Sequence, residues 1–253
     1  SSVRIRSNPS NAMHTRTVIK SRHALIAPDG HVPSAFQGWS GLSAHVLISP
    51  AMGAGFSQFL LKFETGDGVA NFPPDENEHV ILVEAGELYI NWEKGSTTLA
   101  AGGYFFAPPH TILHLQGQAG SRITVYRKVY QKLPGIDAPD ILFGNARKVP
   151  DEPFMGNERA RLQTLLPIAP RFDIAVNIFT YQPGATLPFV ETHIMEHGLL
   201  MLAGQGIYRL EDSYYPVQAG DAIWMAPFCP QWFAAIGDQP ASYLYHKDIH
   251  RIP

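Results

Sequence analysis

The sequence has little charge and almost no cysteine. Only 16% of its 253 residues are Asp, Glu, Lys or Arg, whereas 45% are hydrophobic. A chain of this balance can bury a full core, which excludes a disordered or coiled-coil protein. Cys229 is the single cysteine, so no intrachain disulfide can form and the fold does not depend on an oxidising compartment. We interpret the Cys229 thiol as a buried bystander.

Strongly basic stretches and long apolar runs are also missing. The net charge is -3, and no segment rich in Lys and Arg indicates a nucleic-acid partner. No run of 18 apolar residues occurs, which predicts that no segment spans a membrane. The first residues lack the apolar core of a secretory signal. We take the folded part of the chain to begin at Met13.

Glycine and proline, by contrast, are frequent along the whole chain. The 22 Gly and 21 Pro residues separate short runs rich in β-branched and aromatic residues. This pattern predicts an all-β fold of many short strands joined by tight turns. Helical periodicity is hard to find, and the best candidate for a short helical turn is 158–165. Clear candidate strands are 59–63, 80–83, 123–126, 199–202 and 222–225.

The sequence resembles itself at an offset of 118 residues. His79 falls on His197, and Gly86 falls on Gly204. The register holds without a gap from about 66 to 129, which chance does not explain for glycines and a histidine. Each half is therefore predicted to be one β-barrel, with the matching glycines at its turns.

This repeat divides the chain into two barrels and a connection. We predict an N-terminal barrel over 13–130 and a C-terminal barrel over 160–253. The segment 131–159 is interpreted as a linker, because its four prolines suit an extended connection.

Glu191, His193 and His197 form a dense group of ligand-type side chains in the second half. On a strand, Glu191 and His193 would share one face, but His197 would lie about 20 Å from Glu191 at ~3.3 Å per residue. A turn between the two histidines must therefore fold His197 back toward His193. The proline-rich segment that ends at Gln231 suits a bend that aims this amide inward.

These four side chains predict a divalent-metal site. Two imidazoles, one carboxylate and one amide oxygen form a ligand set without thiolate, which suits Mn²⁺ or Fe²⁺ better than zinc. The set carries one negative charge, so a 2+ ion leaves the site positive and attractive to an anionic substrate such as a carboxylate. The competing interpretation is that these histidines only make structural hydrogen bonds. The framing glycines and downstream prolines favour the metal.

The N-terminal half supplies an internal comparison. At the 118-residue offset, the four ligand positions are occupied by Pro73, Asp75, His79 and Leu113. Pro and Leu cannot bind a metal, so we expect the N-terminal barrel to have no metal site. Two further histidines, His110 and His114, leave a weak site open.

Two segments of the C-terminal half resemble the paired motifs of the cupin superfamily. Glu191 stands where the first His of the usual motif is expected, His197 stands where its acid is expected, and Gln231 replaces the His of the second motif. This exchange of ligand types is similar to that of the bicupin (S)-ureidoglycine aminohydrolases. The resemblance covers nearly the whole chain from Thr17 to Pro253 and is most specific over 204–232.

The resemblance implies a bicupin fold, with two tandem jelly-roll barrels related by duplication. It implies hydrolytic deamination of (S)-ureidoglycine to (S)-ureidoglycolate, with release of ammonia, in the allantoin branch of purine degradation. It also implies manganese as the metal, with Fe²⁺ or another divalent ion as the alternative.

The same resemblance implies that Tyr208, Tyr243 and Lys247 contact the substrate. Tyr243, Tyr245 and Lys247 alternate, so they share one face of a late strand. We expect Lys247, Tyr243 and Glu191 to act in catalysis. Glu191 and Gln231 are also expected to touch the substrate.

Other functions stay open on the sequence alone. Another metal-dependent cupin enzyme, such as a dioxygenase or isomerase, would use the same ligand types. A non-catalytic bicupin that binds small molecules is a further alternative. We expect a small-molecule substrate, a homo-oligomer, and a cytoplasmic location if the source is bacterial; for a plant source the location is unknown.

Overall fold

A computed structural model describes residues 14–249 and 251, and Met13 lies outside the described residues. The regular secondary structure of the described chain is almost entirely β-strand, which confirms the predicted all-β class. Its short 3-10 helices span Pro28–Gly30, Pro50–Met52 and Ala146–Lys148. None of the helices in this part of the chain has the length and apolar character needed to cross a bilayer.

Twenty-one strands follow one another along the described residues. The first eleven are β1 (Val18–Ile19), β2 (His23–Ile26), β3 (Ser43–Ile48), β4 (Ser57–Lys62), β5 (Gly68–Phe72), β6 (Asn77–Ala85), β7 (Glu87–Trp92), β8 (Gly95–Ala100), β9 (Gly103–Ala107), β10 (Leu113–Gly117) and β11 (Arg122–Val129). The others are β12 (Leu142–Asn145), β13 (Asp151–Phe154), β14 (Asn157–Thr164), β15 (Ile174–Tyr181), β16 (His197–Ala203), β17 (Gln205–Leu210), β18 (Ser213–Gln218), β19 (Ala222–Met225), β20 (Gln231–Ile236) and β21 (Ala241–Asp248).

Each half encloses a core between a large and a small antiparallel sheet. In the N-terminal half, the sheet β12-β9-β6-β11-β4-β3 faces the sheet β5-β10-β7-β8. In the C-terminal half, the sheet β1-β2-β19-β16-β21-β15-β14-β13 faces β18-β17-β20. Inward-facing residues of both sheets form one apolar cluster per barrel, as alternation along strands requires.

The two large sheets also pack against each other, back to back. Their outer faces share a third apolar cluster, to which the N-terminal sheet contributes Leu60 and Phe106 and the C-terminal sheet contributes Trp224. A strand in such a sheet is buried on both faces, which explains why β6 and β16 read as nearly continuous apolar runs.

The sequence repeat is matched by a repeat of strands. Adding 118 to the bounds of β7 and β8 gives the bounds of β17 and β18 (87 + 118 = 205 and 95 + 118 = 213). The turns before them also correspond, because Gly86 and Gly204 both have positive φ, at 79° and 74°. Both glycines therefore occupy a backbone conformation that other residues rarely adopt.

Strand pairing differs from the predicted domain bounds in three places. β1 and β2 lie within 13–130, yet they extend the C-terminal sheet through β19. β12 lies within 131–159, yet it pairs with β9 of the N-terminal sheet. β13, from the same segment, pairs with β14 of the C-terminal sheet. The physical reason is edge protection: β9 and β19 would otherwise expose unpaired backbone groups, so neighbouring chain covers them.

The predicted helical turn over 158–165 is wrong. These residues lie almost entirely in β14, which pairs with β13 and β15. The chain reverses at Gly156, where φ is 79°, so the segment is the second arm of a hairpin. Tertiary pairing outweighs the weak helical propensity of its Glu, Arg, Ala and Leu residues.

Candidate metal centre and substrate cavity

A cavity of about 150 Å³ lies inside the C-terminal barrel, between its two sheets. The four predicted metal ligands and the three predicted substrate contacts all line it. Its full lining is Phe154, Phe179, Leu187, Glu191, His193, His197, Leu199, Tyr208, Met225, Gln231, Tyr243, Tyr245 and Lys247. The structure therefore brings every sequence-predicted site residue to one cavity.

Glu191 and Gln231 are held opposite each other by backbone pairing. The Glu191 N–H donates to the Gln231 carbonyl at 2.8 Å, and the Gln231 N–H donates to the Glu191 carbonyl at 3.0 Å. Directly opposed residues of an antiparallel pair send their side chains to the same face. Gln231 opens β20 and is 3% exposed, so both side chains are fixed toward the interior.

His193 and His197 meet because the chain bends at Ile194. Their Nε2 atoms lie 3.1 Å apart. The side-chain nitrogen of Gln231 lies 2.8 Å from His193 Nε2. Thus two imidazoles and one amide converge on one point from a loop, β16 and β20.

The tautomer of His193 is set by a carbonyl group. Its Nδ1 lies 2.9 Å from the Met195 carbonyl oxygen, which can only accept a hydrogen bond. Nδ1 therefore carries the proton, and Nε2 turns its lone pair toward the converging groups. A backbone acceptor behind a ligand histidine is a common feature of metal sites.

His197 and Gln231 leave polar atoms buried without a hydrogen-bond partner. These atoms are His197 Nδ1 and Gln231 Oε1. Burial lowers the pKa of His197 well below its usual value, and the nearby His193 and Lys247 lower it further. His197 is therefore a neutral imidazole that can donate a lone pair, as a metal ligand must.

The Glu191 carboxyl lines the same cavity, and its pKa is under two opposing influences. Burial raises its pKa, while His193, Gln231 and Lys247 lower it, and burial prevails. A 2+ ion beside it would favour the ionised form. In the described residues, no three His, Cys, Asp or Glu side chains alone are arranged to hold a metal. The convergent set instead contains two His and an amide, and its orphaned buried atoms and nitrogen/oxygen chemistry fit a hard or borderline divalent ion.

Tyrosine hydroxyls form one wall of the cavity. Tyr208, on β17, and Tyr243, on β21, pack with ring centroids 6.0 Å apart. Burial raises the pKa of both phenols well above the usual value, so they stay protonated at neutral pH and can donate hydrogen bonds. Behind them, the Tyr181 hydroxyl lies 2.8 Å from that of Tyr243.

Lys247 enters the cavity from the end of β21. It is paired in register with His197 of β16, so its ammonium group lies near the candidate ligands. Its positive charge lowers the pKa of both His197 and Glu191. The site thus holds a cationic hydrogen-bond donor beside the predicted metal position.

Some lining residues were not predicted from the sequence. Phe154 belongs to β13, in the segment interpreted as a linker, so nothing in the pattern placed it at the site. Asn177 and Tyr181, on β15, lie outside the cavity lining and form hydrogen bonds with Tyr245 and Tyr243, respectively. Tyr245 shares the spacing of Tyr243 and Lys247, and this signal could have identified it.

The corresponding positions of the N-terminal barrel are arranged differently. Arg127, at the position equivalent to Tyr245, forms an ion pair with Asp75 at 2.9 Å. His79 is buried against the Phe72 ring, and its pKa is lowered to about 3, chiefly by burial. His110 lies instead near Glu76 and His114 near Asn71, so these histidines point to separate partners.

Comparison with known proteins gives a consistent result. A family model described as Cupin domain matches residues 177–246. A probable (S)-ureidoglycine aminohydrolase of Oryza sativa subsp. japonica is 40% identical, over 94% of this chain and 77% of that protein. The (S)-ureidoglycine aminohydrolase of Escherichia coli (strain K12) is 32% identical, over 93% of this chain and 92% of that protein.

Solved structures agree with the sequence relatives. The structure of a putative glyoxylate-induced protein from Pseudomonas aeruginosa matches with a TM-score of 0.86 and 29% identity, covering 95% of this chain and 93% of that one. The chain therefore has a cupin fold and belongs to the (S)-ureidoglycine aminohydrolase family.

Proposed function

We propose that the protein hydrolyses (S)-ureidoglycine to (S)-ureidoglycolate and ammonia, as the names of its relatives state for those proteins. The observation that carries this proposal is the convergence of His193, His197 and Gln231 in one cavity that Glu191 also lines. Such a constellation is suited to holding a small polar substrate against a cation.

The polar groups of the cavity match the substrate in kind. Its donors are the hydroxyls of Tyr208, Tyr243 and Tyr245 and the ammonium of Lys247, and its one carboxylate is Glu191. In (S)-ureidoglycine one carbon carries a carboxylate, an amine and a ureido group. The substrate oxygens need donors, whereas the amine needs an acceptor, and the site supplies both.

We propose Mn²⁺ as the resident ion, with Fe²⁺ or another divalent ion as the alternative. Glu191, His193, His197 and Gln231 would hold it. Bound there, the ion would supply a fixed positive charge that orients an anionic substrate and stabilises charge as the C–N bond breaks.

The chain's own residues then have distinct tasks. The Glu191 carboxylate accepts a hydrogen bond from the substrate amine, which fixes the amine near the polar end of the cavity. Tyr208 donates a hydrogen bond to a substrate oxygen. Lys247 and Tyr243 either hold the carboxylate and ureido oxygens or deliver a proton to the departing amine. Water supplies the hydroxyl of the product, so ammonia leaves without any oxidant or reductant.

The reaction places the protein in allantoin degradation, after the step that forms (S)-ureidoglycine. We also propose that it works as a homo-oligomer, because bicupins commonly associate through barrel faces.

The direct test is ammonia release from freshly generated (S)-ureidoglycine by Mn²⁺-loaded protein. We expect a rate well above the spontaneous reaction. Lys247→Ala should lower kcat/KM at least ~100-fold and leave the metal content unchanged, because Lys247 touches substrate rather than metal. Lys94→Ala, at an exposed turn of the other barrel, is the matched control and should keep full activity. A wild-type rate no higher than the spontaneous one would refute the proposed reaction.

A further inference from the structure

Tyr245 has a hydrogen-bonding arrangement unlike that of the other cavity tyrosines. Its hydroxyl accepts a hydrogen bond from the Asn177 side-chain amide at 2.9 Å. The two residues are direct register partners on β15 and β21. Both are buried, Asn177 being 6% and Tyr245 9% exposed. Tyr245 lines the cavity, whereas Asn177 stands behind it.

The direction of this hydrogen bond decides whether the Tyr245 hydroxyl can still donate its own proton. A phenol oxygen carries one proton, and an amide N–H can only donate. Because Asn177 donates, the Tyr245 proton is left unused, and within the described residues the hydroxyl makes no other hydrogen bond. A phenol has a pKa of about 10 in water, so the proton is present at neutral pH. An unused donor in a buried position is costly unless a ligand takes it.

The Tyr245 ring is also fixed in position. It packs edge-on against the His197 ring, with centroids 5.2 Å apart, and is stacked near Phe179 at 5.9 Å. The Tyr243 hydroxyl, by contrast, already has a hydroxyl partner in Tyr181. Tyr245 is thus a cavity phenol that Asn177 and the neighbouring rings hold in place, while its own proton has no acceptor among the described residues.

The N-terminal barrel lacks this pair. At the 118-residue offset, Arg127 replaces Tyr245. The register partner of Arg127 on β4 is Ser57, so neither the phenol nor the amide is present at this place. The pair occurs in the barrel that has the cavity.

We propose that Tyr245 donates a hydrogen bond to a carboxylate or ureido oxygen of the substrate, and that Asn177 is a positioning residue that holds the Tyr245 hydroxyl in the donating orientation. The inference deepens the proposed function and rests on it for the identity of the substrate. Asn177 itself does not touch the substrate, so its effect must pass through Tyr245.

The test uses Mn²⁺-loaded protein and two measurements. Calorimetry measures the binding of hydantoate, which has the carboxylate and ureido groups but no amine to lose. Ammonia release measures kcat/KM for (S)-ureidoglycine. The variants are Tyr245→Phe, Asn177→Leu and the double variant. Tyr104→Phe is the matched control, because it removes another buried hydroxyl. That hydroxyl donates to the Leu165 carbonyl oxygen over 2.7 Å, and Tyr104 does not line the cavity.

We expect Tyr245→Phe to weaken hydantoate binding and to lower kcat/KM about 10- to 100-fold. Asn177→Leu should lower kcat/KM and hydantoate affinity by a smaller factor. The double variant should be no worse than Tyr245→Phe, because the amide acts only through the hydroxyl. Tyr104→Phe should bind hydantoate like the wild type.

Two outcomes would overturn the inference. If Tyr245→Phe binds hydantoate as tightly as the wild type, or if no hydantoate binds to wild-type protein, Tyr245 is not a donor to this class of ligand. If the two single effects multiply in the double variant, Asn177 is merely structural. Hydantoate binding that depends on Tyr245 in a protein without ammonia release would instead refute the proposed reaction and support the role of Tyr245.

Discussion

At the scale of single residues, the site depends on which nitrogen atoms carry protons. The Met195 carbonyl fixes the proton of His193 on Nδ1, and burial keeps His197 neutral by lowering its pKa. Each imidazole can therefore present a lone pair. The two Nε2 atoms lie 3.1 Å apart, a separation at which both can bind one cation.

The corresponding region of the N-terminal barrel has an ion pair in place of a convergent ligand set. There Arg127 brings a permanent positive charge to Asp75, so the acidic group is neutralised by a side chain of the protein itself. Unlike a bound metal ion, the Arg127 guanidinium is part of the chain and has no coordination position that a substrate could occupy. The two barrels therefore differ in charge at corresponding positions, and only the C-terminal one has the convergent set of His193, His197 and Gln231.

At the scale of elements, the turn between β16 and β17 sets where the His197 strand ends. Gly204 has φ of 74°, and a Cβ there would collide with the Pro240 carbonyl oxygen. Gly156 has a similar φ of 79° but open space around it. Gly204→Ala should therefore lower the thermal unfolding midpoint by several degrees more than Gly156→Ala, which adds only the backbone strain of roughly 1–2 kcal/mol. Equal midpoints would show that the close approach at Gly204 is relieved without cost.

Elements also show what the sequence could and could not predict. The strands flanked by repeated glycines were predictable, because apolar runs such as those of β6 and β16 stand out between turns. β12 and β13 were not, since edge strands are half exposed, lie among prolines and have no repeat partner. The addition of β1 and β2 to the C-terminal sheet could not be predicted either, because pairing with a strand as distant in sequence as β19 leaves no local pattern.

The candidate site, too, could be predicted from the sequence only in part. Glu191, His193, His197 and Gln231 could be predicted, because their types and their contrast with the N-terminal copy indicate ligand chemistry. Asn177 could not be predicted, since one amide in an apolar strand does not reveal its partner. Its role depends on the register of β15 against β21, which only the structure provides.

At the scale of the whole molecule, the two barrels are joined by a mostly apolar interface with a few buried charges. The Glu78 side chain is 1% exposed and lies beside Asp173, and Asp173 pairs with Lys128 at 2.5 Å. Burial and Asp173 raise the pKa of Glu78 from 4.5 to about 10. Glu78 is thus protonated in the folded protein at neutral pH but ionised in the unfolded chain.

This difference predicts how stability depends on pH. The stabilising contribution of Glu78 is fully present below about pH 4.5 and is lost as pH rises toward 10. Glu78→Gln, which stays neutral, should therefore raise the unfolding midpoint at pH 8, and its advantage over the wild type should shrink toward pH 4.5. Glu152→Gln, at an exposed position of β13, is the control and should show no such trend. A Glu78→Gln advantage that grows toward low pH would contradict this account.

The most direct measurement for the whole account is the metal content of the purified protein after stripping and reloading with Mn²⁺. We predict about one ion per chain for the wild type and almost none for His193→Ala or Gln231→Leu, while His79→Ala, at the equivalent position of the N-terminal barrel to His197, should keep the wild-type content. One ion per chain that survives both C-terminal substitutions, or is lost with His79→Ala, would contradict the assignment of the centre to the C-terminal barrel.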